Sequence, residues 1–373
     1  MSSDYRQQLE EMYDSVVGEY SDRAVAVLEE VVRMADVHQD VEWSFYAREA
    51  LVQSATYSGH GDKALVAFSW ILAQIDKNPE YEDEFEMDHL LWVYKWIADS
   101  LLGFSHISKA QILAIVEDMD RRYRKQGLSL RAVENIRYKV ACEFAEEENV
   151  QKHFSRWETL PKDGSQDCLA CETNFVVNHY LFREKNLEQA LLIARPLLEG
   201  EQSCHSVPGR TQSNLMLALL KAGRMDEADQ MQRKSEGYAS HNGDRIHSAG
   251  KHLQFLALTD QLSRALRIFE KMVAFAITSR EERNRHMFFR GARLLFMKLM
   301  DQGHRTVKLR LATDFPVACD EQNQYPVPEL VDWFTHEAER VAHLFDARNE
   351  TVSYGEELIE DLALLKESYP LST

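Results

Sequence analysis

The sequence predicts an all-α protein built as a helical-repeat solenoid, on three observations. Apolar residues recur at helical spacing, while strand-like alternation is hard to find. The 8 prolines and 15 glycines are sparse and fall mostly between the periodic segments. A small or polar turn closed by Ala also returns at near-regular intervals. EYSDRA ends at Ala24, GHGDKA at Ala64, SHISKA at Ala110, KNLEQA at Ala190, GRMDEA at Ala228 and DQLSRA at Ala265. The steps are 40, 46, 80, 38 and 37 residues, the third being two units of 40. A period in this range marks stacked helical hairpins.

Each element has a physical reason. A first helix ends at a glycine such as Gly59, Gly103 or Gly223, where a left-handed or uncapped turn costs least. Asp62, Ser108, Asp226 and Ser263 are the expected N-caps of the second helices. The Ala that follows is small because the two helices of a hairpin cross closely there. One turn later comes a bulky or apolar residue in most units: Leu28, Phe68, Ala114, Ala194 and Phe269. Degenerate members near Val150, in EEENVQKHF, and near Val307, in DQGHRTVKL, bring the count to about eight hairpins.

After the last unit comes TDFPVACDEQNQYPVPE, whose Pro316, Pro326 and Pro328 mark a linker. An amphipathic helix is expected over 329–347, with Pro328 suited to its first turn. An acidic helix over 355–367, with Leu358, Ile359, Leu362, Leu364 and Leu365, is expected to cap the array. The domain reading is therefore a repeat array over 1–315, with a hinge near LPKDGSQD at 160–167, followed by a linker and capping helices over 316–373.

The alanine–aromatic pairs Ala64/Phe68 and Ala265/Phe269, with the AGRMDEA turn, resemble the tetratricopeptide repeat family. The resemblance covers most of the chain and implies a right-handed superhelical solenoid that binds proteins or peptides on its concave face. The Trp and Gly of the family's first helix and its terminal Pro are mostly missing here, and the unit runs longer than the family's 34 residues.

Charge narrows the function. The net charge is −18, but the four stretches 1–100, 101–200, 201–300 and 301–373 carry −14, −1, +6 and −9. A basic middle between acidic ends is a stronger clue than the total. In SREERNRHMFFRGARLLFMK, Arg283, His286, Arg290 and Arg293 share one helical stripe, and Met287, Gly291, Leu294 and Leu295 share the one expected to be buried. The stripe is either a solvated face or a groove wall for an acidic ligand. Asn174 and Asn178, with Arg210 and Asn214, extend the candidate groove, because an Asn amide can bond the backbone of an extended peptide. RRYRK at 121–125 is expected at a helix C-terminus, and EYEDEFEMD at 80–88 in a solvated turn.

The rest of the inventory is negative. No GxGxxG, P-loop, HExxH or GxSxG occurs, so neither an enzyme nor a cofactor is expected. Cys168-Leu-Ala-Cys171, with Cys142, His153 and His179 not far away in sequence, reads as packing cysteines rather than a metal or redox site. Acidity overall and the lack of a recognition module argue against nucleic acid. No run of roughly 18 apolar residues suggests a membrane helix. The N-terminus lacks a basic start and an apolar core, so no signal peptide is expected, and no DNA-binding domain is expected ahead of Ala24. An odd cysteine count argues against a disulfide framework and for the cytoplasm. The reading is a scaffold for a protein or peptide with an acidic segment, with self-association as a homo-oligomer left open. The alternatives are a peptide-sensing regulator of tetratricopeptide build and, less favoured, a metal-dependent enzyme using the CxxC region.

Overall fold

The computed structural model describes residues 2–84, 87–238, 244–367 and 369. The chain divides into two compact units, Met1–Gln166 and Asp167–Thr373. The boundary falls inside the loop-like LPKDGSQD stretch, and residues 316–373 belong to the second unit. Among the described residues the fold is all-α apart from one small sheet.

The first unit holds α1 (Ser2–Asp14), α2 (Asp22–Val37), α3 (Val41–Tyr57), α4 (Gly61–Lys77), α5 (Tyr81–Glu84), α6 (Met87–Ser100), α7 (Lys109–Lys125), α8 (Arg131–Glu143) and α9 (Glu147–Thr159). Neighbours in sequence pack together, α3 on α4, α6 on α7 and α8 on α9. One core runs from Val16 to Phe144. RRYRK forms the last turn of α7 as expected, and specific pairs hold it: Arg122 reaches Asp76 and Asp118, each at 2.7 Å. The acidic 80–88 stretch lies partly outside the described residues. Its Glu82 accepts from Lys125 at 2.7 Å.

The second unit holds α10 (Leu169–Asn178), which runs into a π-helical turn (His179–Arg183), then α11 (Leu187–Leu198), α12 (Gly209–Lys221), α13 (Met225–Tyr238), α14 (Asp244–Leu258), α15 (Leu262–Thr278) and α16 (Glu282–Asp301). Strands β1 (Thr306–Lys308) and β2 (Gln324–Pro326) pair antiparallel, and α17 (Val327–Asn349) and α18 (Ser353–Leu365) follow. Here too helices pack in sequential pairs, α10 with α11, α12 with α13, α14 with α15 and α16 with α17. The first members also touch one another in the order α10, α12, α14, α16.

The expected repeat register holds in five hairpins. Ala24, Ala64, Ala190, Ala228 and Ala265 are fully buried, as are Leu28, Phe68, Ala194 and Phe269 one turn on. The degenerate member is real, with Val150 and Phe154 buried on α9. Ala110 and Ala114 break the pattern, because both are exposed. Ser108 and Gln111 form a capping box that starts α7 there, so the buried positions become Ile112 and Val116, two residues later. Ser108 is the one expected N-cap that holds. Asp62, Asp226 and Ser263 sit inside the first turns of α4, α13 and α15, each of which begins one residue earlier. A carboxylate in a first turn still faces the positive end of the helix. The member near Val307 is not helical: it is β1. Pro328 falls in the first turn of the long α17, as expected.

One joint is unusually close. A Cβ on Gly250 of α14 would collide with the Met287 backbone carbonyl, and one on Gly291 of α16 with the Gly250 carbonyl. These two helices meet backbone to backbone, which explains why Gly291 stands on the buried stripe.

Candidate functional site

The four helices α10, α12, α14 and α16 carry a row of polar groups. Thr211 Oγ1 donates to Asn174 Oδ1 at 2.7 Å, and Asn214 Nδ2 donates to Asn178 Oδ1 at 2.8 Å. Lys251 of α14 donates in turn to Asn214 Oδ1. The asparagines named from sequence therefore bond one another and their neighbours, as partly or fully buried polar side chains do when satisfied. Arg210 is exposed at the start of α12, and Arg283 is half-buried at the start of α16. Both lie close enough to His247 of α14 to act on its charge. Burial first, then Lys251, Arg283, Arg210 and Arg290, push that imidazole well below its ordinary range. Four cations thus add to burial in keeping this histidine neutral. Lys251 and His247 escaped sequence reasoning because neither repeats the arginine spacing.

The stripe on α16 is not a solvated face. Every residue from Phe288 to Phe296 is buried, and so is His286; Arg293 is only 1% exposed. What covers the cations is the acidic helix α18 of the same chain. Arg290 grips Asp361 with two bonds, Nε to Oδ2 at 2.8 Å and Nη2 to Oδ1 at 3.0 Å, and its Nη1 reaches Glu357. Arg293 Nη2 donates to the Leu358 carbonyl at 2.6 Å. His286 Nε2 lies 3.7 Å from Glu357 Oε2. Lys221 of α12 stands 3.9 Å from Glu360, and Gln254 of α14 donates to Asp361 at 3.5 Å. The open groove wall expected at Arg290, Arg293 and His286 is thus corrected to an internal interface.

The energetics explain why α18 stays. Burial disfavours both charges, and their attraction repays that cost only with good geometry and further hydrogen bonds. Here the geometry is bidentate, the strongest form of the pair. Burial alone would raise the Glu357 carboxyl; Arg290, then His286 and Lys251, hold it below the usual range instead. Arg290 is raised despite its own burial, by Glu357 and Asp361. Asp346 of α17 seats the start of α18, accepting from the backbone amides of Tyr354 and Gly355, each at 2.9 Å.

A second cluster lies at the other end of the same row. Cys168 is exposed just ahead of α10, Cys171 lies one turn inside, and Cys204 comes from the loop between α11 and α12. The three Sγ atoms lie within 4.8 Å of one another, and Cys171 and Cys204 are 3.4 Å apart. A bond from Cys171 and backbone amides of Ser206 and Val207 draw the Cys204 thiol down to about 5, while the same sharing pushes Cys171 up. The expectation of a packed CxxC fails for Cys168, which is not in a core. Cys142, His153 and His179 do not join; His153 instead pairs with Glu134 at 2.7 Å in the first unit. The third cysteine of the cluster, Cys204, which sequence reasoning left out, is the next cysteine in the sequence after the CxxC.

No family model matches the chain, and no curated protein matches it. No described helix is long and apolar enough to cross a membrane.

Proposed function

We propose that the protein is a binding scaffold, a right-handed tetratricopeptide-like solenoid whose first helices present a cationic row to an acidic segment of a protein or peptide. The observation that carries this reading is the cation cluster around His247. Arg210, Lys251, Arg283 and Arg290, on α12, α14 and α16, each help to depress the His247 titration, and Glu357 and Asp361 of α18 pair with Arg290. Arg210 is exposed and Arg283 half-buried, so both are within reach of a ligand. The fold analogy alone would carry no function. Five thiols without a disulfide suit a reducing compartment, which supports the cytoplasm.

The test is a fluorescence titration with a labelled glutamate-rich peptide at two salt concentrations. The parent is expected to bind more weakly at high salt, because exposed charges are screened within about 10 Å at 0.1 M. Arg210→Glu with Arg283→Glu is expected to weaken binding at least tenfold, about 1.4 kcal/mol, and to flatten the salt dependence. Binding that ignores both salt and substitution, or no binding across a panel of acidic peptides, sinks the reading.

One observation favours the regulator as a second reading. The cationic row already carries an acidic helix, α18, at Arg290. A ligand of like chemistry that displaced α18 would turn binding into a change of surface. Hydrogen exchange in 353–365 that rises when peptide is added supports this version, and unchanged protection removes it.

A further inference from the structure

We propose that Cys168, Cys171 and Cys204 form a thiolate site for a zinc ion. A tetrahedral zinc with bonds of about 2.3 Å needs its sulfurs about 3.8 Å apart. The three sulfurs, all within 4.8 Å of one another and one pair at 3.4 Å, stand near that spacing already. Small rotations of three side chains would bring them to one point. Soft thiolates select zinc over the hard cations.

The surroundings suit charged sulfur. Cys168 and Cys171 stand at the N-terminal end of α10, a ten-residue helix whose free amides favour negative charge. Backbone N–H groups of Ser206 and Val207 point at the Cys204 sulfur, the kind of outer-shell donor that fixes a ligand in place. Ala170, Leu197 and Val207 pack together behind Cys171 and Cys204. Thr173 Oγ1 donates to Gln202 at 2.7 Å, which already ties the Cys204 loop to α10. Cys168 is exposed, so the fourth position opens to solvent and falls to water. A zinc here would staple the start of α10 to the segment entering α12, across 33 residues of chain. It owes nothing to the acidic-ligand reading and stands or falls apart from it.

The experiment is metal analysis of the full chain purified in reductant, then titration of the chelator-stripped protein with zinc and with cobalt(II). One zinc per chain is expected, with intense thiolate-to-cobalt absorption and a lower melting temperature after stripping. Cys204→Ser is expected to lose the metal, whereas Cys142→Ser and Cys319→Ser keep it. Should Cys204→Ser fail to fold, Cys168→Ser changes an exposed residue and must also weaken zinc binding, by at least tenfold. Zinc at background in the reduced protein overturns the site, as does the absence of cobalt bands. So do binding of copper but not zinc, a Cys171–Cys204 disulfide in thiol-blocked extracts, or zinc retained by both serine variants.

Discussion

The two units share a plan of paired helices but settle their buried cations differently. In the first unit several arginines have a carboxylate partner within 17 residues, although Arg122 also reaches Asp76, 46 residues away, and buried Lys95 donates to the Ser165 carbonyl 70 residues on. Arg48 pairs with Asp36 at 2.6 Å, Arg122 with Asp118 at 2.7 Å, and Arg137 with Asp120 at 2.8 Å. In the second, Arg290 waits for Asp361, 71 residues on. Local pairs form with the hairpins that carry them. A distant pair closes only when the last helix docks, so in the second unit this contact depends on the placement of α18. The difference teaches that a buried arginine is a clue to function only when its partner comes from an element that could leave.

The largest effect expected from breaking this contrast is at Arg290→Glu. It leaves buried Asp361 without its cation and facing a like charge, which costs about 3–5 kcal/mol, with a smaller part from half-exposed Glu357. Adding Asp361→Arg should recover part of the loss, because the pair is then reversed rather than removed. Urea denaturation of the single and double variants checks both statements; a parent-like midpoint for Arg290→Glu would mean α18 contributes nothing there.

A pH titration sharpens the same comparison from the other side. Burial, with Arg264 and Lys251 adding to it and Glu236 opposing, holds His252 down to about 4. Its ring instead meets the neutral groups Gln232 and Ser235, each at 3.3 Å. The unfolded chain protonates near 6.5, so between about 4 and 6.5 it binds more protons than the folded one. Stability in the second unit should therefore fall as pH drops through that window, by up to roughly 3 kcal/mol. His252→Gln should flatten the slope; an unchanged slope would place its origin elsewhere.

The smallest effects test the repeat register. Ala265→Leu overpacks a fully buried crossing and should cost about 1–3 kcal/mol. Ala110→Leu, at the exposed position of the same motif, should change stability by less than about 0.5 kcal/mol. Equal melting of the two variants would show that burial at this position does not set the register.

What sequence could supply follows from distance along the chain. Buried alanines such as Ala64 and Ala228 were legible because a hairpin crossing is a local event, set by residues a few turns apart. Ala110 was misplaced because α7 starts two residues later in the motif than its counterparts, where Ser108 and Gln111 form a capping box. The strand at Thr306–Lys308 is too short to show alternation. The stripe of Arg283, His286, Arg290 and Arg293 was legible as a stripe, since periodicity fixes a face. What covers that face is a long-range fact, and α18 arrives more than 60 residues later. Cys204 hid for the same reason: only the turn between α11 and α12 brings it back to the CxxC.

The short tether of α18 has a thermodynamic consequence. Only Glu350–Val352 separate it from α17, and a linker of that length sets an effective concentration on the order of millimolar. On the proposed reading, a free acidic partner meets an intramolecular competitor that never dilutes. If the docked form outnumbers the open one by about 100 to 1, a partner with an intrinsic Kd of ~1 μM registers at ~100 μM. The protein would then ignore weak or scarce acidic segments and answer only to those that are abundant, multivalent or able to grip Arg210 and Arg283 before α18 lets go.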